Sequence, residues 1–238
     1  MPNITENITL VMESVNRVAM AVGRNANTVT IVAASKGQTA AAIREAYAAG
    51  LRHFGESYLQ EALIKIEQLS DLDIIWHFIG PLQSNKTAVI AKHFDWVHSI
   101  DRLSIAERLS RQRPQQLPPL QVCVQINIDG EASKSGVSPQ QLATLADQVS
   151  VLPNLCLRGL MAIPRPRATA KEQVQPLRVL ADLLAELKSR SPRLAGLDTL
   201  SMGMSGDFAV AVAEGATLLR IGSAIFGPRA ASKTQLKQ

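Results

Sequence analysis

Thr30-Ile-Val-Ala-Ala-Ser-Lys36 is a short apolar run that stops at a lysine. Seven further runs of the same kind follow. Counting the first as 29–35, the expected strands are 29–35, 51–55, 74–80, 96–100, 120–126, 157–162, 199–202 and 218–221. Helical spacing fills the gaps at about 39–49, 57–69, 84–92, 102–113, 139–150, 171–190 and 206–214. Ahead of the first strand, Ile8, Val11, Met12, Val15, Val18 and Ala19 recur at three- and four-residue steps, so 4–22 is expected to be an amphipathic helix.

Regular strand–helix alternation implies a parallel sheet covered by helices. Eight units close most economically into a (β/α)8 barrel, which usually takes about 250 residues. A chain of 238 residues is close enough if the last helix is short. An open, doubly wound sheet is the alternative. The expected architecture is therefore a single α/β domain over 1–238, a TIM barrel preceded by an N-terminal helix. The irregular stretches 112–119 and 164–170 sit between elements and do not read as linkers, and 231–238 reads as a polar, frayed tail.

Composition agrees with this architecture. Hydrophobic residues make up 46% of the chain but aromatics only 4%, so the interior must be built from Ala, Val, Ile and Leu, as in helix-covered parallel strands. The net charge of +5 comes from scattered bases with no aromatic-interleaved basic stretch, so no nucleic-acid partner is expected. Cys123 and Cys156 form no metal or disulfide motif, which suits a reducing cytoplasm. The N-terminus lacks a basic region followed by an apolar stretch, and no apolar run approaches the ~20 residues that span a bilayer, so neither export nor a membrane is expected. Asn3 and Asn7 read as polar residues at a helix entry.

The chemistry begins at Lys36. In a parallel barrel the reactive groups gather at the C-terminal ends of strands, where Lys36 stands. Its apolar neighbours favour the neutral amine that attacks a carbonyl carbon. Alone, such a lysine reads equally as a charge pointing into water. A second signal, Ser201-Met-Gly-Met-Ser205 running into Gly206 and Asp207, follows the seventh expected strand, with Ser205 or Asp207 as a candidate helix cap. A third, Arg220-Ile-Gly-Ser223, closes the eighth. Barrels often hold phosphate after strands seven and eight, on backbone N–H groups and hydroxyls. A carbonyl-seeking amine opposite a phosphate cradle suggests pyridoxal 5′-phosphate (PLP).

Arg220 lies among apolar residues and needs a partner. Facing a pyridine nitrogen, it would keep that nitrogen unprotonated and weaken the ring as an electron sink. The alternative is a structural salt bridge to Glu56 or Asp207. His53, His77, His93 and His98 show no metal-binding spacing and read as packing or supporting residues. Gly130-Glu-Ala-Ser-Lys-Ser135 lacks the glycine before the lysine that a P-loop requires, and no GxSxG elbow is present.

With Val32-Ala-Ala-Ser-Lys36 stand His53-Phe-Gly-Glu56, Trp76-His-Phe-Ile-Gly80, Gln83-Ser-Asn-Lys86, Val97-His-Ser-Ile-Asp101, Gly130-Glu-Ala-Ser-Lys-Ser-Gly136 and Arg158-Gly-Leu-Met161. Together with Ser201–Ser205 and Arg220–Gly227, this set resembles the pyridoxal phosphate homeostasis protein family, whose barrel is shared with the N-terminal domain of alanine racemase. The resemblance implies that Lys36 carries an internal aldimine with PLP. It also implies that Ser201, Gly203, Gly222 and Ser223 lie around the phosphate and that Arg220 faces the pyridine nitrogen; Ser205 is expected among the cofactor-binding residues as well. Two positions depart from the family pattern: Ser57 stands where Asn is usual, and Gly206 and Ala209 stand where acidic residues are common around Asp207.

The function so implied is a non-catalytic carrier or regulator of PLP, monomeric, that hands cofactor to PLP-requiring apoenzymes. A PLP-dependent amino-acid racemase is the alternative, and a class I aldolase-like barrel a more distant one. Two-base racemisation in the alanine racemase manner draws a tyrosine from a second domain, whereas this chain stops soon after its eighth strand. Its two tyrosines, Tyr47 and Tyr58, fall in expected helices. Lys134, Lys233 and Lys237 read as exposed amines that could take up PLP transiently.

Overall fold

The computed structural model describes residues 3–131 and 134–228, so Lys233, Lys237 and the expected tail lie outside the described residues. Eight parallel strands form a closed barrel in chain order: β1 Thr30–Ala34, β2 His53–Glu56, β3 Ile75–Phe78, β4 Trp96–Ile100, β5 Leu120–Ile126, β6 Leu155–Ala162, β7 Thr199–Ser201 and β8 Leu218–Ile221. The expected TIM barrel is what forms. The seam is the pairing of β1 with β8, in register Val32 to Arg220 and Ala33 to Ile221.

Around the barrel run α2 Ala40–Ala48, α3 Leu59–Gln68, α4 Thr87–His93, α5 Leu103–Gln112, α6 Pro139–Ser150, α7 Ala170–Arg190, α8 Phe208–Ala213 and α9 Ser223–Phe226. The N-terminal helix α1, Ile4–Ala21, begins at Asn3, whose side chain accepts from Glu6 N–H. Its buried stripe is Ile4, Ile8, Val11, Val15 and Ala19. That stripe packs over α8 and α9, which at six and four residues are too short to cover their side of the barrel alone. Polar ties hold it there. Asn7 Nδ2 donates to the Ile225 carbonyl at 2.9 Å, and the Arg24 guanidinium donates to the carbonyls of Val212 and Ala216.

Differences from the expected elements are local. β6 starts two residues early, and α4 starts at Thr87 because 84–86 form a turn closed by Lys86 N–H to Gln83 O. A single 3-10 turn at Ala26–Thr28, held by the Asn25 side chain on Asn27 N–H, went unread. β1 ends at Ala34, so Ser35 and Lys36 lie just beyond the strand.

A buried ion cluster fixes that exit. Lys65 of α3 donates at 2.7 Å both to the Ser35 carbonyl and to Glu56 Oε1, and it also reaches Glu61 Oε1. The Ser35 hydroxyl donates to the same Glu56 oxygen at 2.6 Å, and Gly37 N–H donates to Glu61. The backbone on either side of Lys36 is thereby tied to one ammonium and two carboxylates. Glu56 Oε2 is buried without a hydrogen-bond partner among the described residues. Burial accordingly raises the Glu56 pKa, against the lowering effect of Lys65 and Ser35.

Two stability tests follow from this packing. A methyl at Gly159 of β6 would overlap the Thr199 carbonyl of β7. Gly159→Ala is expected to cost about 3 kcal/mol, read from denaturant midpoints, because neither strand backbone can retreat from a closed sheet. Lys65→Met leaves Glu56 buried without its counter-ion, an expected loss of about 3–5 kcal/mol where Glu56 is charged. Native Glu56 holds its proton above the pKa it has in the unfolded chain, and without Lys65 that pKa climbs further. Relative to the unmutated chain, the loss should be larger near about pH 8 than near about pH 5, because the protonated fraction of Glu56, which needs no counter-ion, grows as pH falls. Equal losses at both pH values would dismiss this account.

Candidate functional site

At the C-terminal mouth of the barrel lies a cavity of about 300 Å³. Its lining comes from the exits of six strands: Lys36 and Gln38 after β1, Ser57 after β2, Ile79 after β3, Ile163 after β6, Met204–Gly206 after β7, and Gly222, Ser223 and Gly227 after β8. Ala34 and Arg220 complete it from within β1 and β8. The seam makes this possible, because Ala34 ends β1 and Gly222 follows the end of the adjacent β8. A Cβ at Gly222 would stand 3.2 Å from the Ala34 carbonyl oxygen, so a larger residue would crowd the strand exit.

The loop after β7 is fixed by two side chains. Ser205 Oγ accepts from Ala224 N–H at 3.1 Å, tying that loop to α9 and leaving the Ser205 O–H to donate elsewhere. Asp207 Oδ1 accepts from Met204 N–H at 2.6 Å. Asp207 is the N-cap residue of α8, one of the two the sequence suggested, but its carboxylate makes no cap hydrogen bond and holds the loop instead, as Ser205 does.

Arg220 is buried, and none of the ion pairs among the described residues includes it. The alternative reading, a salt bridge to Glu56 or Asp207, does not form, since Glu56 is taken by Lys65 and Asp207 by its own loop. Arg220 instead donates to Ser201 Oγ at 2.7 Å and to the Ala162 carbonyl at 2.8 Å. Ser201 Oγ in turn lies 2.7 Å from His98 Nδ1, His98 Nε2 lies 2.8 Å from His77 Nδ1, and His77 Nε2 lies 2.9 Å from His53 Nδ1. These residues belong to β8, β7, β4, β3 and β2, so the line crosses the barrel interior. Burial and then the Arg220 charge lower His98 to about 3. Burial first, and then its imidazole neighbours, drive His77 well below its ordinary value, and burial lowers His53. All three are neutral at physiological pH, while Arg220, lowered by burial to about 10, keeps its charge.

The structure thus brings Lys36, Ser205, Arg220, Gly222 and Ser223 to one cavity, joined by the departing residues Ser57 and Gly206. Ser201 and Gly203, read from the sequence with them, are not among the residues that line it. Ser201 is the last residue of β7 and is fully buried, its hydroxyl spent on Arg220 and His98. Gly203, at φ +92°, turns the chain where any side chain would strike Ala211 and Leu219. Lys134 is not a fully exposed amine: it pairs with Glu131 at 2.7 Å and donates to the Ile163 carbonyl. Gln38, Ile79, Ile163 and Gly227 went unread as lining residues. The interior role of His53, His77 and His98 had one available signal, a histidine on each of three consecutive strands.

A family model described as "Alanine racemase, N-terminal domain" matches residues 4–230. The pyridoxal phosphate homeostasis protein of Pseudomonas aeruginosa is 57% identical over 229 residues, covering 96% of this chain and 97% of that protein. The protein of the same name from Escherichia coli K12 is 49% identical, covering 98% and 100%. Among solved structures, PipY of Synechococcus elongatus with PLP bound superposes with a TM-score of 0.78 at 42% identity, covering 90% of this chain and 100% of that one. With a full-length match to these relatives and the same barrel, the chain belongs to the pyridoxal phosphate homeostasis protein family.

Proposed function

We propose that this chain holds PLP covalently on Lys36 and serves as a carrier that buffers the cofactor or passes it to PLP-requiring apoenzymes, without turning over an amino acid. The observation that carries the reading is the donor set of the cavity. Lys36 supplies an amine, Ser205 and Ser223 supply hydroxyls, Gly206 and Gly222 leave backbone accessible for a phosphate, and Arg220 supplies a guanidinium suited to a pyridine nitrogen. When bound, PLP supplies an aldehyde that condenses with the lysine amine, with loss of water, and a ring that withdraws electrons from the attached carbon. A relative at 42% identity has been solved with PLP bound.

The carrier reading rests on what faces Lys36. Among the described residues lining the cavity, Lys36 and Arg220 alone have ionisable side chains. A two-base racemase needs a second proton-transfer group across the substrate. Tyr58, next to Ser57 at the start of α3, is 63% exposed and does not line the cavity, and Tyr47 lies beneath the Arg52 guanidinium, 3.9 Å from ring centroid to cation. Arg220 cannot accept a proton, and as a neighbour it disfavours the pyridinium form on which carbanion chemistry depends. The same reading places the chain in a reducing cytoplasm, where the thiols of Cys123 and Cys156 stay unpaired, and treats it as a monomer. Among the described residues, no helix is long and apolar enough to cross a membrane.

Borohydride reduction of the PLP-loaded protein followed by peptide mass mapping should place the adduct on Lys36, and Lys36→Ala should abolish it while the far-ultraviolet circular dichroism is unchanged. An adduct on another lysine would overturn the site. Ser223→Ala should weaken PLP binding about tenfold or more, as expected for one hydrogen bond to a charged group. Incubating loaded protein with alanine or serine in deuterated water should give no sustained α-proton exchange. Sustained exchange that depends on Lys36 would replace the carrier with an enzyme.

A further inference from the structure

The line of groups behind Arg220 has a direction, and Arg220 sets it. A guanidinium has five N–H donors and no acceptor, so toward Arg220 the Ser201 oxygen must accept. Ser201 is fully buried, and its hydroxyl oxygen has only Arg220 and His98 Nδ1 within hydrogen-bond distance among the described residues. If His98 Nδ1 carried a proton, Ser201 would accept twice and its own proton would be buried without a partner, which folded proteins avoid. If His98 Nδ1 is bare, the serine proton has its acceptor. His98 must then carry its proton on Nε2, which donates to His77 Nδ1; His77 likewise carries its proton on Nε2 and donates to His53 Nδ1. His53 is half-buried, and its remaining N–H can meet water. Every dipole in this arrangement points its negative end toward the guanidinium, so each bond strengthens the next.

We propose that Ser201, His98, His77 and His53 form a one-way hydrogen-bond wire, with all three imidazoles locked as Nε2–H tautomers, whose role is to position Arg220 at the cavity while leaving its charge unneutralised. These are positioning residues: Ser201, His98, His77 and His53 are absent from the cavity lining, and the first three are fully buried. Carboxylates in their place would also hold a guanidinium but would cancel its charge. A neutral wire orients the group and keeps the full charge directed at the ligand. The consequence for a pyridine nitrogen rests on the proposed PLP function; the sense of the wire does not, and it is measured without ligand.

Long-range 1H–15N correlation spectra of the ligand-free, full-length protein, recorded near about pH 7, distinguish the two neutral histidine tautomers and the cation. His77 and His98 are both expected as neutral Nε2–H forms; an Nδ1–H or cationic signal for either overturns the proposal. A second variant reverses the wire. In Ser201→Asp a carboxylate accepts from Arg220 and from His98 alike, so His98 must turn its proton to Nδ1 and His77 must follow. A switch to Nδ1–H at His77, which position 201 does not touch, is the expected result. An unchanged His77 tautomer in the folded variant overturns transmission through the wire. Should Ser201→Asp fail to fold, the measurement on the unmutated chain still decides.

Discussion

The pairing of β1 with β8 is the contact on which the site depends. It joins strands from opposite ends of the sequence, in register from Thr30 opposite Leu218 to Ala33 opposite Ile221. Every other neighbouring pair of strands is joined by one short crossover, so only this pair must be brought together across most of the chain. Its reward is chemical: the exit of β1 carries Lys36, and the exit of β8 carries Gly222 and Ser223. It also explains α1. The helices after β7 and β8 are short, and an N-terminal helix laid over α8 and α9 buries what they leave bare.

Two buried cations flank the cavity, and they are held by opposite means. Lys65 is surrounded by charge, with Glu56 and Glu61 as partners and the Ser35 carbonyl as a third acceptor. Such a cluster fixes backbone, since it ties Ser35 and Gly37 around Lys36, and its own charge is consumed in doing so. Arg220 has only neutral acceptors, Ser201 and the Ala162 carbonyl. None of the ion pairs among the described residues takes up its charge, which the nearby Asp207 carboxylate favours without contact. An ion cluster under the lysine and a neutral network under the arginine suit the ligand proposed above, joined to Lys36 at one end and facing Arg220 at the other.

Much of this was readable beforehand, for physical reasons that also mark where reading failed. Strands covered on both faces appear as unbroken apolar runs; β4, β5 and β8 fall on their expected bounds because their burial is continuous. Lys36 and the β8 exit were legible as residues of one cavity because a parallel barrel gathers its strand exits at the C-terminal mouth. Ser201 was not, because it sits at the boundary between strand and loop. A serine one residue later would lie in the loop after β7, whereas the last paired residue of β7 faces the interior, and a step of one residue along a strand reverses the side chain's direction. The histidines posed a different difficulty. Their partners lie on β2, β3, β4 and β7, and only the closed geometry shows that residues so far apart share one line.

The interior of a (β/α)8 barrel is ordinarily filled by layers of branched apolar side chains. Here His77, His98, Ser201 and Arg220 occupy buried positions within it, beside the Cys123 thiol, whose pKa is pushed up to about 12 by burial and which is therefore inert at physiological pH. Each polar group so placed forgoes hydration and apolar packing, and a network with one unmet donor would be worse than a wholly apolar core. A continuous line of satisfied bonds is the one arrangement that keeps this loss small. It is difficult to assign that arrangement to stability, because apolar residues of the same volume would serve the barrel at least as well. What they would not do is offer a guanidinium at the cavity wall neutral acceptors in place of an ion pair, as Ser201 and the Ala162 carbonyl do for Arg220.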